Sequence, residues 1–130
     1  VAPRPTQIVA AKSVFLANTL DGSTEGNEQT YNRVYANLKQ SGRFRLVLNP
    51  NDADLILELG SFPIDINTVS FRLRIVDPKS HTVLWSVAEA APQGRNKTAT
   101  EKSYEDSLMN LVSDLTSLAG GSTSTGQIKQ

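Results

Sequence analysis

The amino-acid sequence predicts an α/β (α+β) fold, a two-layer sandwich in which a mixed sheet of about five strands carries two helices on one face, in the order β-α-β-β-β-β-α. Three observations point there. Apolar residues recur at helical spacing in one early stretch and in one closing stretch. Between and before these stretches, short segments run apolar or alternate as strands do. The connection between the last two strands is far too short for a parallel crossover, so that pair must be antiparallel.

Residues Val1 to Gln7 contain two prolines and an arginine, which predicts a loose N-terminal arm, drawn over residues 1–11. The run Ser13-Val14-Phe15-Leu16-Ala17 is nearly continuous in apolar character and predicts a first strand covered on both faces or nearly so. Asn18 to Asn27 is rich in residues that tolerate turns, and predicts a loop. Tyr31, Val34, Tyr35 and Leu38 then share one helical stripe, with Gly42 behind them as a left-handed stop, so a helix is expected from about Glu28 to about Ser41.

Phe44 to Leu48 reads as a second strand, ended by Asn49-Pro50-Asn51-Asp52. From Asp54 to Gly60 the sequence places Leu55, Leu57 and Leu59 on one face and Asp54, Ile56 and Glu58 on the other, as a third strand would. Val69 to Ile75 alternates cleanly, Asp77-Pro78-Lys79-Ser80 supplies turn chemistry, and Thr82 to Val87 resumes, which together predict a β-hairpin. Pro92 to Lys97 is polar, after which Tyr104, Leu108, Leu111, Val112, Leu115 and Leu118 form the stripe of a second helix. Gly120-Gly121 ends it, and residues 120–130 read as a flexible tail, leaving residues 12–119 as a single domain.

Composition narrows the function classes. Lysine plus arginine equals aspartate plus glutamate at 13 each, so no long-range field draws the chain to nucleic acid or to an anionic surface. Cysteine is absent, which excludes disulfides, a thiol nucleophile and thiolate metal sites. Apolar runs fall short of the ~20 residues that a membrane-spanning helix needs. A chain that starts at Val1 without methionine fits one trimmed of a targeting segment.

The search for chemistry returns little. His81 is the single histidine and falls in the hairpin turn beside Ser80, where bulk water surrounds it, so neither a hydrolase triad nor a zinc site is expected. The acid pairs Asp52/Asp54, Asp54/Glu58 and Glu105/Asp106 lie at strand edges and at a helix start, without the burial that raises a catalytic pKa. Gly22 and Gly26 sit between a strand and a helix, yet Asn27-Glu28 stand where a phosphate loop carries its lysine and hydroxyl, and Asp21, Ser23, Glu25 and Asn27 are a thin set for calcium. Arg33, Arg43, Arg45, Arg72 and Arg74 lack a stacking ladder of aromatics, so nucleic acid is not an expected partner. Asn96-Lys97-Thr98 fits the glycosylation pattern, which matters only on a eukaryotic secretory route. No cofactor and no metal are expected.

Ser13-Val14-Phe15-Leu16-Ala17, then Gly42-Arg43-Phe44, Ala53-Asp54, Phe71 to Asp77 with its turn, and Val83-Leu84-Trp85 before a terminal helix together resemble the small α/β domain at the N-terminus of TolB and in the CsgG and penicillin-binding-protein activator lipoproteins. The resemblance spans about residues 12–119. It implies a noncatalytic envelope adaptor in a periplasmic or secreted location, with a protein partner and with membrane contact only through an anchor outside this span. It transfers no active-site residue. The alternative is a small hydrolase or transferase with a site that carries no recognisable motif. If the helices cover Leu57, Leu73 and Ile75, the partner-binding face is expected to hold Ile56, Glu58, Arg72, Arg74 and Val76, with Leu84 on the next strand.

Overall fold

The structure, a computed structural model, describes residues 6–20 and 25–120. In chain order the elements are α1 (Thr6–Ala10), β1 (Ser13–Asn18), α2 (Glu25–Ser41), β2 (Arg45–Leu46), a 3₁₀ turn (Pro50–Asp52), β3 (Leu55–Asp65), β4 (Thr68–Val76), β5 (Val83–Pro92) and α3 (Lys97–Leu118). The sheet order is β2-β1-β3-β4-β5. β1 runs parallel to β2 and to β3, whereas β3, β4 and β5 form an antiparallel meander. This is the mixed sheet under helices that the sequence predicts.

Pleat alternation sorts the side chains. Leu55, Leu57 and Leu59 on β3 pair across the ladders with Val14, Leu16 and Asn18 on β1, and Leu57 and Leu59 pair with Ile75 and Leu73 on β4. Partners in a ladder point to the same face, so these aliphatics make one surface. Val34 and Leu38 of α2 and Leu108, Leu111 and Leu115 of α3 close over it, each with no exposed surface. Phe71 meets Tyr104 of α3 edge to face at 5.5 Å, a geometry that suits the two ring quadrupoles.

Three differences from the sequence reading have physical causes; in addition α2 starts at Glu25, inside the stretch expected to be a loop to Asn27. Thr6–Ala10, inside the stretch expected to be a loose arm, forms α1, and its Ile8 is fully buried. One apolar side chain is enough to dock a single turn there, because Arg43 fixes the chain around it. The Arg43 guanidinium donates to the carbonyls of Ala11, Val9 and Ala119 at 2.9, 2.9 and 3.2 Å and stacks on the Phe44 ring at 4.5 Å, tying α1 and the end of α3 to the exit of α2. Gly42, at φ 69°, supplies the left-handed stop that sends Arg43 in that direction.

β3 runs five residues past Gly60, to Asp65, and takes Pro63 into the strand. β1 ends alongside Leu59, where the Thr19 N–H donates to the Leu59 carbonyl. Pro63 therefore lies on the edge beyond β1, where its missing N–H would have no partner. β5 likewise continues through Ala88 to Pro92, past residues of low strand propensity, because β4 pairs with it throughout. The second strand shrinks to Arg45–Leu46. α3 starts at Lys97, where the Asn96 side chain accepts from the Ala99 N–H at 2.8 Å; the asparagine of the glycosylation pattern is an N-cap. The loop at 21–24 and the tail at 121–130 lie outside the described residues.

Ile8→Ala should cost ~2–4 kcal/mol, close to the ~2–5 kcal/mol expected for Leu111→Ala in the centre of the core. Chemical denaturation of both variants checks this. A wild-type midpoint for Ile8→Ala would remove α1 from the folded unit.

Candidate functional site

The face opposite the helices has no element over it among the described residues. Ile56 and Glu58 of β3 pair across the ladders with Phe15 and Ala17 of β1 and with Val76 and Arg74 of β4. Gly60 pairs with Arg72, and Phe62 with Ser70. Beyond them β5 contributes Ser86, Ala88 and Ala90, opposite Arg74, Arg72 and Ser70.

Two arginines organise this face. Arg74 lies directly across from Glu58, and its Nη2 and Nε reach the same Oε1 at 2.9 and 3.1 Å. The pair is part-exposed, so it fixes orientation more than it stabilises the fold. Arg72 has a different environment. Its guanidinium carbon stands 5.4 Å from the centre of the Phe62 ring, and no carboxylate pairs with it among the described residues. Its Nε is shut off from solvent and has no hydrogen-bond partner there. A Cβ at Gly60 would stand 3.3 Å from Thr19 Oγ1, a tight approach, and 3.8 Å from Arg72 Nη2, an ordinary contact. Arg72 thus lies over Phe62 with its Nε donor unspent.

Past Phe62 the β3–β4 hairpin extends beyond β1, and its tip exposes Ile64 at 53% and Ile66 at 93%. Asp65 accepts from the Asn67 N–H at 2.8 Å and so fixes the turn. The tip continues the open face with an apolar edge.

Of the six residues expected on the open face, Ile56, Glu58, Arg72 and Arg74 are there and part-exposed. Val76 is not available: it is 4% exposed, a short side chain flanked by the longer Arg74 and Ile56. Leu84 is also a correction. The ladder slips between Ile75/Trp85 and Val76/Val83, so Leu84 is the extra residue of a bulge and packs against the core.

Asp54, Asp77 and Asp106 have structural partners. In a cleft of about 710 Å³ at the start of β1 and β3, Asp54 accepts from the N–H groups of Lys12 and Ser13 at 2.8 and 3.2 Å, which hold its carboxyl below the usual range. Asp77 on the same rim is lowered to about 2 by the Ser80 hydroxyl first and then by the Gln7 amide. Both are ionised acceptors already committed to the fold, which suits neither for general-base work. Asp106 pairs with Lys102 on the surface of α3. His81 has φ 61° and donates its N–H to the Asp77 carbonyl, while the Ser80 hydroxyl bonds Asp77 and Thr82. No three of His, Cys, Asp or Glu converge as metal ligands among the described residues, and no described helix is long and apolar enough to cross a membrane.

One pair escaped sequence reasoning. Glu89, on the helix side of β5 opposite Phe71, hydrogen-bonds Asp114 of α3, and burial first, then this neighbouring carboxylate, push Asp114 from 3.8 to about 7. The two residues are far apart in sequence. Only the strand alternation of β5 combined with the helical phase of α3 could have brought them together.

No protein-family model matches the sequence, and no curated protein matches it. Solved structures do. The PelC dodecamer from Paraburkholderia phytofirmans superposes with a TM-score of 0.62 at 12% identity, covering 88% of this chain and 93% of that one. Protein XCC0632 from Xanthomonas campestris gives 0.60 at 13% identity, over 93% and 92%. Lipoprotein GNA1162 from Neisseria meningitidis gives 0.50 at 15% identity, over 78% and 96%. The chain shares their fold. At these identities the likeness speaks for architecture and leaves chemistry to the residues described above.

Asp114 gives a pH dependence whose sign is fixed. A carboxyl raised in the fold contributes stability that is fully present below its unfolded pKa of ~3.9 and is lost as pH rises through about 7. Asp114→Asn keeps an uncharged hydrogen-bonding group, so its melting temperature should overtake that of the wild type progressively between pH 4 and pH 8. A gap that does not change with pH would contradict the shared-proton geometry.

Proposed function

We propose that this chain is a noncatalytic, extracytoplasmic protein–protein interaction domain of the bacterial envelope, whose partner seats on the uncovered face of the sheet. The observation that carries this reading is Arg72, stacked on Phe62 with a buried Nε that has no partner. A guanidinium with a shielded Nε on a rigid sheet, on the same face as part-exposed Phe15 and Ile56 and the Glu58–Arg74 pair, combines the arginine, aromatic and aliphatic groups that concentrate binding energy at interfaces. An acceptor on the partner would satisfy donors that the fold leaves unused.

The envelope setting is supported by the fold shared with lipoprotein GNA1162, and it agrees with the TolB and lipoprotein resemblance of the sequence. An anchor outside the residues described here would hold such a domain at a membrane. The alternative of a small hydrolase or transferase loses support from the cleft at the start of β1 and β3, whose two acids are already committed as structural acceptors.

Charge reversal tests the reading. Arg72→Glu, alone and together with the exchange Glu58→Arg and Arg74→Glu, keeps the cross-strand pair while inverting the face. Both variants should melt near the wild-type temperature yet fail to co-purify the partners that the wild type recovers from envelope extracts. Unchanged recovery by the folded variants would return this face to solvent.

A further inference from the structure

The two edges of the sheet are not alike. β2 pairs over two residues and is followed by the turn at Pro50, which is how natural sheets shorten an edge. β5 is ten residues long and carries no lysine or arginine, its only proline being the last residue. The Gln93 N–H donates to the Asn67 carbonyl at 2.6 Å, so 67/93 is a hydrogen-bonded pair of the antiparallel ladder. Alternation from that pair turns the N–H and C=O of Ser86, Ala88 and Ala90 away from β4. Among the described residues only the Ala90 carbonyl meets a partner, the Ser107 hydroxyl of α3 at 3.0 Å. The edge at Ser86 and Ala88 is therefore open, and the side chains of Ser86, Ala88 and Ala90 are small and exposed.

What borders the open stretch decides its occupant. α3 returns over β5 after the connection at 93–96, and the Glu89 and Asp114 carboxyls meet on the helix side of the strand. No cation pairs with either among the described residues; the ion pairs there are Arg74–Glu58 and Lys102–Asp106. We propose that β5 is a strand-addition site for an extended basic segment of a protein partner, which pairs its backbone with Ser86 and Ala88 and sets a lysine or arginine against Glu89 and Asp114. The added strand's alternate side chains fall on the helix side, within reach of the two carboxyls, and the others lie over the small residues of the open face. Charge complementarity favours a basic segment over a neutral or acidic one. This edge borders the face that carries Arg72 and Arg74, and the inference rests on the reading of the chain as an interaction domain while using backbone groups and carboxyls that the Arg72 site does not use.

Trp85, the single tryptophan, lies half-buried beside the open stretch and reports binding by its fluorescence. The probe is a capped heptapeptide of alternating valine and lysine, set against its valine–glutamate counterpart and against a valine–lysine version N-methylated on alternate amides. The valine–lysine peptide should slow amide exchange at Ser86 and Ala88, and both controls should bind at least about tenfold more weakly. Glu89→Gln with Asp114→Asn should weaken the valine–lysine peptide by a similar factor while the fold persists, and Ala88→Pro, whose N–H the β4 ladder does not use, should block it. Equal binding of the acidic peptide, or exchange at Ser86 and Ala88 that stays fast at saturation, would overturn the proposal. So would protection of the same amides by self-association without peptide, which would assign the edge to a second copy of the chain. Every variant in this test keeps Glu58, Phe62, Arg72 and Arg74, so a failed Arg72 variant and a failed edge are told apart.

Discussion

Everything in this molecule depends on the period of two in the β3–β4 ladder. Leu57, Leu59, Leu73 and Ile75 point one way and Glu58, Arg72 and Arg74 the other because partners across an antiparallel ladder share a face. A slip of β4 by one residue would drive Arg72 and Arg74 into the core and Leu73 and Ile75 into water, a cost no other contact here could offset. The helices follow from this. α2 and α3 bring Val34, Leu38, Leu108, Leu111 and Leu115 to the one face that needs covering, and no described element remains for the other. The open face is thus a consequence of the same alternation that builds the core.

The second device is local and polar. Arg43 gathers three carbonyls from α1 and from the end of α3, at a point where helix ends leave acceptors without partners. It converts separate chain ends into part of the packed layer and explains how a five-residue helix with one buried side chain can hold its place. The Gly42-Arg43-Phe44 sequence acts as a unit here: the glycine turns the chain, the arginine binds the carbonyls, and the phenylalanine both packs in the core and carries the guanidinium.

The sheet, its two main helices and the sorting of β3 and β4 were legible in the sequence because each rests on a local period. What was not legible depended on context. The alternation ends at Gly60 and at Val87, and the further reach of β3 and β5 follows only once β1 is seen to stop short of Pro63 and β4 to template Ala88 to Pro92. Ile8 has no period to announce it. On the open face, Ile56, Glu58, Arg72 and Arg74 followed from alternation alone, whereas Leu84 was misplaced by a bulge and Val76 by the shielding of longer neighbours. The buried Arg72 Nε and the Glu89–Asp114 contact belong to tertiary packing, which no sequence pattern encodes.

The central claim is that the helix-free face of the sheet is occupied by a protein in the cell. Side-chain oxidative footprinting, run on the purified protein and on the protein in intact cells, measures this directly at Phe15, Ile56 and Phe62, with Met109, exposed on α3, as the internal reference. The account predicts that the three open-face residues react in the purified protein and are protected in cells while Met109 reacts equally in both. Equal reactivity of all four in the two settings would contradict it.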